Sequence, residues 1–177
     1  THGDENGPVD IVYTVTLSTT NNTGSDITFD FDDLLTGSAS SGSDYSAVAG
    51  GAQITIPVGS DFGTITINVN DDGLFEATET IDCRISNCSN ADVTITTSDA
   101  QANITDDEIA TVDLSVTTNG DEAGPTNILF TATLSTTNNT GTPITFDFDD
   151  LLTGTATSGS DYNAIGALDQ ISIADGA

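Results

Sequence analysis

Two stretches of this chain are nearly one stretch written twice. Residues 118–177 overlay residues 1–60 at a constant offset of 117 without a gap, and about 39 of those 60 positions are identical. GDENGP (3–8) returns as GDEAGP (120–125), TLSTTNNTG (16–24) as 133–141, FDFDDLLTG (29–37) as 146–154, and SGSDY (41–45) as 158–162. A period of 117 is too long for a solenoid unit and suits a whole small domain, so the chain reads as a tandem array of domains. Residues 1–108 make one repeat, and 109–177 the N-terminal part of a second copy. The segment 109–117 (IATVDLSVT) leads into the second copy and has no counterpart before Thr1, so the first repeat is expected to lack its first strand. Further copies on both sides are expected in a parent protein.

Apolar and polar residues alternate through most of each copy, the two-residue period of half-buried strands. Val9, Ile11, Tyr13, Val15 and Leu17 share a face, as do Ile27, Phe29 and Phe31, then Ile54, Ile56 and Val58, and Ile65, Ile67 and Val69. Ile81, Cys83 and Ile85 follow, then Val93 with Ile95, Ala102 with Ile104, and Val112, Leu114 and Val116. Gly, Asn, Asp and Ser clusters separate these runs. Only DDLLTG (32–37) has helical spacing, and it is short. About seven strands per repeat predict an all-β fold, a Greek-key antiparallel sandwich of immunoglobulin-like type.

Charge narrows the function. The chain carries 28 Asp or Glu against the single Arg84, with no Lys, for a net charge of −27. Such a surface repels nucleic acid and anionic membrane, and no apolar run is long enough to span a bilayer. One His leaves no nucleophile–base pair, so an enzyme is not expected. Paired carboxylates could serve glycoside hydrolysis, but no aromatic sugar platform accompanies them. Cys83 faces inward and reads as a buried thiol, while Cys88 follows a turn and could fold back to pair with it; both readings stay open. Zinc is disfavoured because His2 is the only other soft ligand.

The acids are clustered more than solubility requires. Asp4-Glu5, Asp44, the run Asp71-Asp72-Gly73-Leu74-Phe75-Glu76-Ala77-Thr78-Glu79, and Asp106-Asp107-Glu108 all fall in turns or at strand ends, which a sandwich can gather at one pole. Without nearby basic side chains, a divalent cation is the natural neutraliser, and oxygen-only ligands on loops suit Ca²⁺ over Zn²⁺ or Mg²⁺. The twelve-residue EF-hand spacing is not met.

E-N-G-x-V before an alternating strand, G-x-A-x-x-G-S-D-Y, N-D-D-x-x-F-E-x-x-E-T and I-T-D-D-E together resemble the Calx-β domain, over the whole first copy apart from its first strand and the start of the second. The resemblance implies a Ca²⁺ cluster held by Glu5, Asp44, Asp71, Asp72, Glu76, Glu79, Asp106, Asp107 and Glu108. The second copy keeps only Glu122 and Asp161, a partial site. Tyr45 and Tyr162 read as core packing.

Two functions then compete. Near-identical copies, absent Lys and extreme acidity fit a structural or adhesive segment of a long extracellular bacterial surface protein, similar to the Calx-β-bearing adhesins of gliding Bacteroidetes. Its partners would be neighbouring copies of the repeat and an external surface or glycan. Ca²⁺ at Asp106–Glu108 would then rigidify the inter-repeat junction. The alternative is a Ca²⁺-sensing regulatory domain of a transporter or other membrane protein.

Overall fold

Where an alternating apolar face meets a second layer, the alternation becomes a ladder. The computed structural model describes residues 1–124 and 126–177; Pro125 of the GDEAGP motif lies outside the described residues. No helix occurs among them. The thirteen strands are β1 Gly3–Asp4, β2 Ile11–Thr16, β3 Ile27–Asp33, β4 Gln53–Ile56, β5 Phe62–Ile67, β6 Phe75–Glu76, β7 Glu79–Ser86, β8 Asp99–Thr105, β9 Val112–Thr118, β10 Leu129–Leu134, β11 Asn138–Asn139, β12 Ile144–Asp147 and β13 Gln170–Ile173. They divide between two compact units, Thr1–Gly73 with Ala77–Asp107, and Leu74–Glu76 with Glu108–Ala177.

Unit one holds seven of the described strands, in a five-stranded sheet ordered β1-β8-β7-β3-β4 and a two-stranded sheet β2-β5. All pairings are antiparallel except β1 with β8. The sheets meet through their apolar faces. Ile11, Tyr13 and Ile67 of the smaller sheet are buried in one cluster with Phe31, Ile54, Ile81, Cys83, Ala102 and Ile104 of the larger. The Tyr13 and Phe31 rings lie 5.3 Å apart, tilted at 56°, and the Tyr13 hydroxyl donates to the Ile81 carbonyl at 3.1 Å. Burial pushes the Cys83 thiol up to about 11. Cys83 and Cys88 are both free thiols. The chain after β3 passes so close to its neighbour β7 at Gly37 that a Cβ there would stand 2.0 Å from the Thr80 carbonyl oxygen.

Three runs behave differently from their sequence pattern. Val93 and Ile95 form no strand; they pack, half-buried, against Ile27, Phe29 and Ile56 without a ladder of their own. DDLLTG is not a helix: its two acids end β3, and beyond them Asp33 Oδ1 accepts from Leu35 N at 3.0 Å while Leu35 takes a left-handed φ of 53°. Val9 and Val58 stand outside the flanking strands and are about half exposed (49% each), because β2 starts only at Ile11 and Pro57, which cannot donate to a ladder, follows the end of β4.

Unit two repeats the pattern with less cover. β9 pairs antiparallel with β10, β12 with β13, and β11 pairs parallel with β6. The apolar alternation of β9 forms a strand, yet Val112, Leu114 and Val116 are 41%, 58% and 50% exposed.

Candidate metal centre

Sheet register decides which acids meet. The parallel β1–β8 pairing matches Asp4 with Thr105, so the next residues on each strand, Glu5 and Asp106, emerge side by side; Glu5 N donates to the Thr105 carbonyl at 3.0 Å. Glu5 is only 3% exposed, and Glu5 Oε2 and Asp106 Oδ1 are buried atoms.

The GSDY loop supplies a second meeting point. Asp44 Oδ2 accepts from Ser40 N at 2.5 Å, which closes the loop on itself and leaves Asp44 6% exposed. Tyr45 bridges to Val69, Asn70 N donates to the Asp44 carbonyl at 3.0 Å, and Asn70 Nδ2 to the Ser43 carbonyl at 2.6 Å. These bonds draw the Asp71-Asp72 segment against the loop.

Within unit one, three carboxylate pairs each place an oxygen of one member within 4.8 Å of an oxygen of the other: Glu5 with Asp106, Asp44 with Asp72, and Asp71 with Asp107. Asp71 and Asp72 are chain neighbours, as are Asp106 and Asp107. The chain thus links the three pairs, Asp44·Asp72, Asp71·Asp107 and Asp106·Glu5, into a band drawn from four segments. Glu79 opens β7 with its backbone in register with Ile104, outside the three pairs. Glu76, in β6, and Glu108, directly after Asp107, belong to the second unit. Glu122 is exposed, and so is Asp161, whose Oδ2 accepts from Thr157 N at 2.7 Å as Asp44 does from Ser40.

Two supporting acids escaped the sequence reading. Asp10 Oδ1 accepts from Val69 N at 3.1 Å and pins the strand that leads to Asp71. Asp33 Oδ2 accepts from the Tyr45 hydroxyl at 2.6 Å, tying the SDY loop to the end of β3, and burial together with this bond raises the Tyr45 hydroxyl above its usual range. Asp150 and Tyr162 repeat this bond at the same spacing in the second copy.

Electrostatics sets what this band can do. Two carboxylate charges 4.8 Å apart repel by about 3.5 kcal/mol at an effective dielectric of 20. Arg84 gives no relief. Its guanidinium is spent on Asp99, with Nε–Oδ1 at 2.6 Å and Nη2–Oδ2 at 2.8 Å, a fork that holds Asp99 at about 2. It also sits five residues along β7 from Glu79, roughly 17 Å at strand rise and beyond a physiological screening length. A band of oxygen-only ligands on loops suits a large, hard divalent cation with six to eight oxygens.

A family model described as the Calx-beta domain matches residues 3–108, a span that takes in Glu76 and Glu108. Three solved structures are similar. The calcium binding domain CBD12 of CALX1.1 is 25% identical over 59% of this chain and 40% of that one, with a TM-score of 0.47. The apo-form Calx CBD1 domain is 25% identical over 59% of this chain and 88% of that one, with a TM-score of 0.46. CBD12 from CALX1.2 is 22% identical over 97% of this chain and 66% of that one, at a TM-score of 0.50, a likeness of fold. The chain thus spans less than two thirds of either CBD12 chain. No curated protein matches it.

Proposed function

The chain belongs to the Calx-beta domain family over residues 3–108, and from that premise we propose that its first repeat is a Ca²⁺-binding module of a long extracellular bacterial surface protein, structural or adhesive in role. The observation that carries the metal reading is the set of three carboxylate pairs in a unit whose one guanidinium is engaged elsewhere. Glu5, Asp44, Asp71, Asp72, Asp106 and Asp107 would hold the ions. Ca²⁺ replaces mutual repulsion with shared attraction. Because Asp106 and Asp107 close the repeat, ion binding stiffens its exit toward the next copy.

The tandem near-identity of the copies favours the structural role over a sensor, which needs one responsive domain rather than an array. In an array, an external surface or glycan would be the target and neighbouring repeats the partners.

Calorimetric titration of the whole chain with Ca²⁺ tests the metal reading. Wild-type protein is expected to bind and to gain several degrees in Tm. A ligand at a hundred times its Kd stabilises the folded state by about 2.7 kcal/mol. The double variant Asp71→Ala with Asp106→Ala should lose both responses, while Asp161→Ala keeps them. Identical melting curves in Ca²⁺ and in chelator would defeat the metal reading.

A further inference from the structure

The loop that presents Glu5 is a tight hairpin with an Asn-Gly pair at its tip. Asp4 N donates to the Val9 carbonyl at 3.1 Å and Val9 N to the Asp4 carbonyl at 2.7 Å, closing residues 4–9 on themselves. Inside the loop Asn6 N donates to Asp4 Oδ1 at 2.9 Å, and Gly7 takes a left-handed φ of 69°. Asn6 and Gly7 are both exposed. Among the described residues neither the Asn6 side-chain amide nor the Gly7 N–H makes a hydrogen bond, and a Cβ at Gly7 would meet nothing within 4 Å. The Gly7 nitrogen therefore has an unobstructed path to the carbonyl carbon of the preceding side chain, the approach that a missing Cβ permits.

The second copy shows that the turn does not need the asparagine. The offset of 117 maps Asn6 onto Ala123, whose N donates to Asp121 Oδ1 at 2.8 Å, and Asp121 and Thr126 exchange the closing bonds at 3.2 and 3.0 Å. That loop has chain ahead of it and is exposed through residues 121–124 all the same. The chain's other Asn-Gly pair, Asn119-Gly120, is placed differently: a Cβ at Gly120 would stand 2.9 Å from Ile128 Cγ1, so Ile128 crowds the atoms that a ring closure has to bring together.

We propose that Asn6-Gly7 is a site of spontaneous covalent modification, at which an amide becomes a carboxylate beside Glu5. The Gly7 nitrogen attacks Asn6 Cγ; a bond forms between them, the bond from Cγ to Nδ2 breaks, and the amide leaves as ammonia with the proton from Gly7 N. Solvent water then opens the cyclic imide. Opening at Cγ leaves aspartate, and opening at the main-chain carbonyl leaves isoaspartate, whose backbone is longer by one methylene. Neither step needs an enzyme, an oxidant or a reductant. Either product sets a further negative charge one residue from Glu5, where like charges already crowd. The reaction does not depend on metal binding.

The test incubates the whole native chain at mildly alkaline pH and follows residues 6 and 119 by peptide mass spectrometry after digestion with an acid protease. Isoaspartate is separated from aspartate by chromatography and identified by methyl transfer from an isoaspartyl methyltransferase. Asn6 is expected to gain one mass unit, with isoaspartate among the products, and to convert faster than Asn119. In chain unfolded by urea the two pairs should convert alike, which assigns the native difference to the fold. Asn6→Gln, which would have to close a larger ring, and Asn6→Ala, the residue of the second copy, should both lose the conversion at position 6 and keep the native melting curve. An unchanged Asn6, or an Asn6 that converts no faster than Asn119 in the native chain, overturns the proposal.

Discussion

FDFDDLLTG occurs in both units, letter for letter, and has two fates. In unit one Phe29 and Phe31 are 1% and 2% exposed; in unit two Phe148 is half-buried, although Phe130 lies over it with ring centres 5.0 Å apart just as Tyr13 lies over Phe31 at 5.3 Å. Ile54 and Ile56 are buried, whereas their counterparts Ile171 and Ile173 are half-buried. What differs is the sheet around them: β3 is flanked by β7 and β4 within a five-stranded sheet, whereas β12 pairs with β13 alone among the described strands. Local hydrogen bonding is indifferent to that difference. Asn21 Nδ2 donates to the Ser25 and Ile56 carbonyls, both at 3.0 Å, and its Oδ1 accepts from Thr23 Oγ1 at 2.7 Å. Asn138 repeats this with Thr142 at 2.9 Å, Ile173 at 3.4 Å and Thr140 at 2.7 Å. Turns are written within a few residues, while core burial needs partners from far along the chain.

Paired substitutions sharpen this contrast, read by hydrogen exchange within each unit. Phe31→Ala should cost unit one about 3–5 kcal/mol, and Phe148→Ala well under half of that in unit two, because a half-buried ring leaves little cavity. Equal costs would break the comparison. Gly37→Ala comes next, at about 1–3 kcal/mol for overpacking against the Thr80 carbonyl, whereas a methyl added at Gly154 meets nothing within 4 Å and Gly154→Ala should be silent. The smallest difference is expected at the turns. Asn21→Ala and Asn138→Ala should each cost about 1–3 kcal/mol, nearly alike, since each strands the equivalent carbonyls. A clear inequality there would show that the surrounding sheet reaches the turns after all.

The same distinction explains what could be read from the residues beforehand. Ile11 with Tyr13, Ile27 with Phe29 and Phe31, Ile81 with Cys83, and Ala102 with Ile104 are buried in the phase their alternation predicts, because period two is a property of the strand itself. Val93 and Ile95 carry that period and still form no strand, since alternation defines an apolar face but cannot supply a neighbouring backbone. DDLLTG mixes acids and leucines at helical spacing; the Asp33 side chain captures the Leu35 amide and bends the chain instead. At the candidate site the acidic motifs were visible by composition. Their pairing was not, because it follows from ladder registers such as Asp4 with Thr105 and from the bond between Asn70 and the Asp44 carbonyl. The supports at Asp10 and Asp33 were hidden for the same reason.

Arg84 has one more consequence. A protease that cuts after basic side chains finds a single susceptible bond in these 177 residues, between Arg84 and Ile85. That bond lies inside β7, flanked by Asp32 of β3 on one side and Asp99 of β8 on the other, with the guanidinium clasped by Asp99. An enzyme of the trypsin type needs an extended segment free of its sheet neighbours, so the native repeat withholds its one cleavable site. Resistance to cleavage after basic residues is thereby built into composition and topology together.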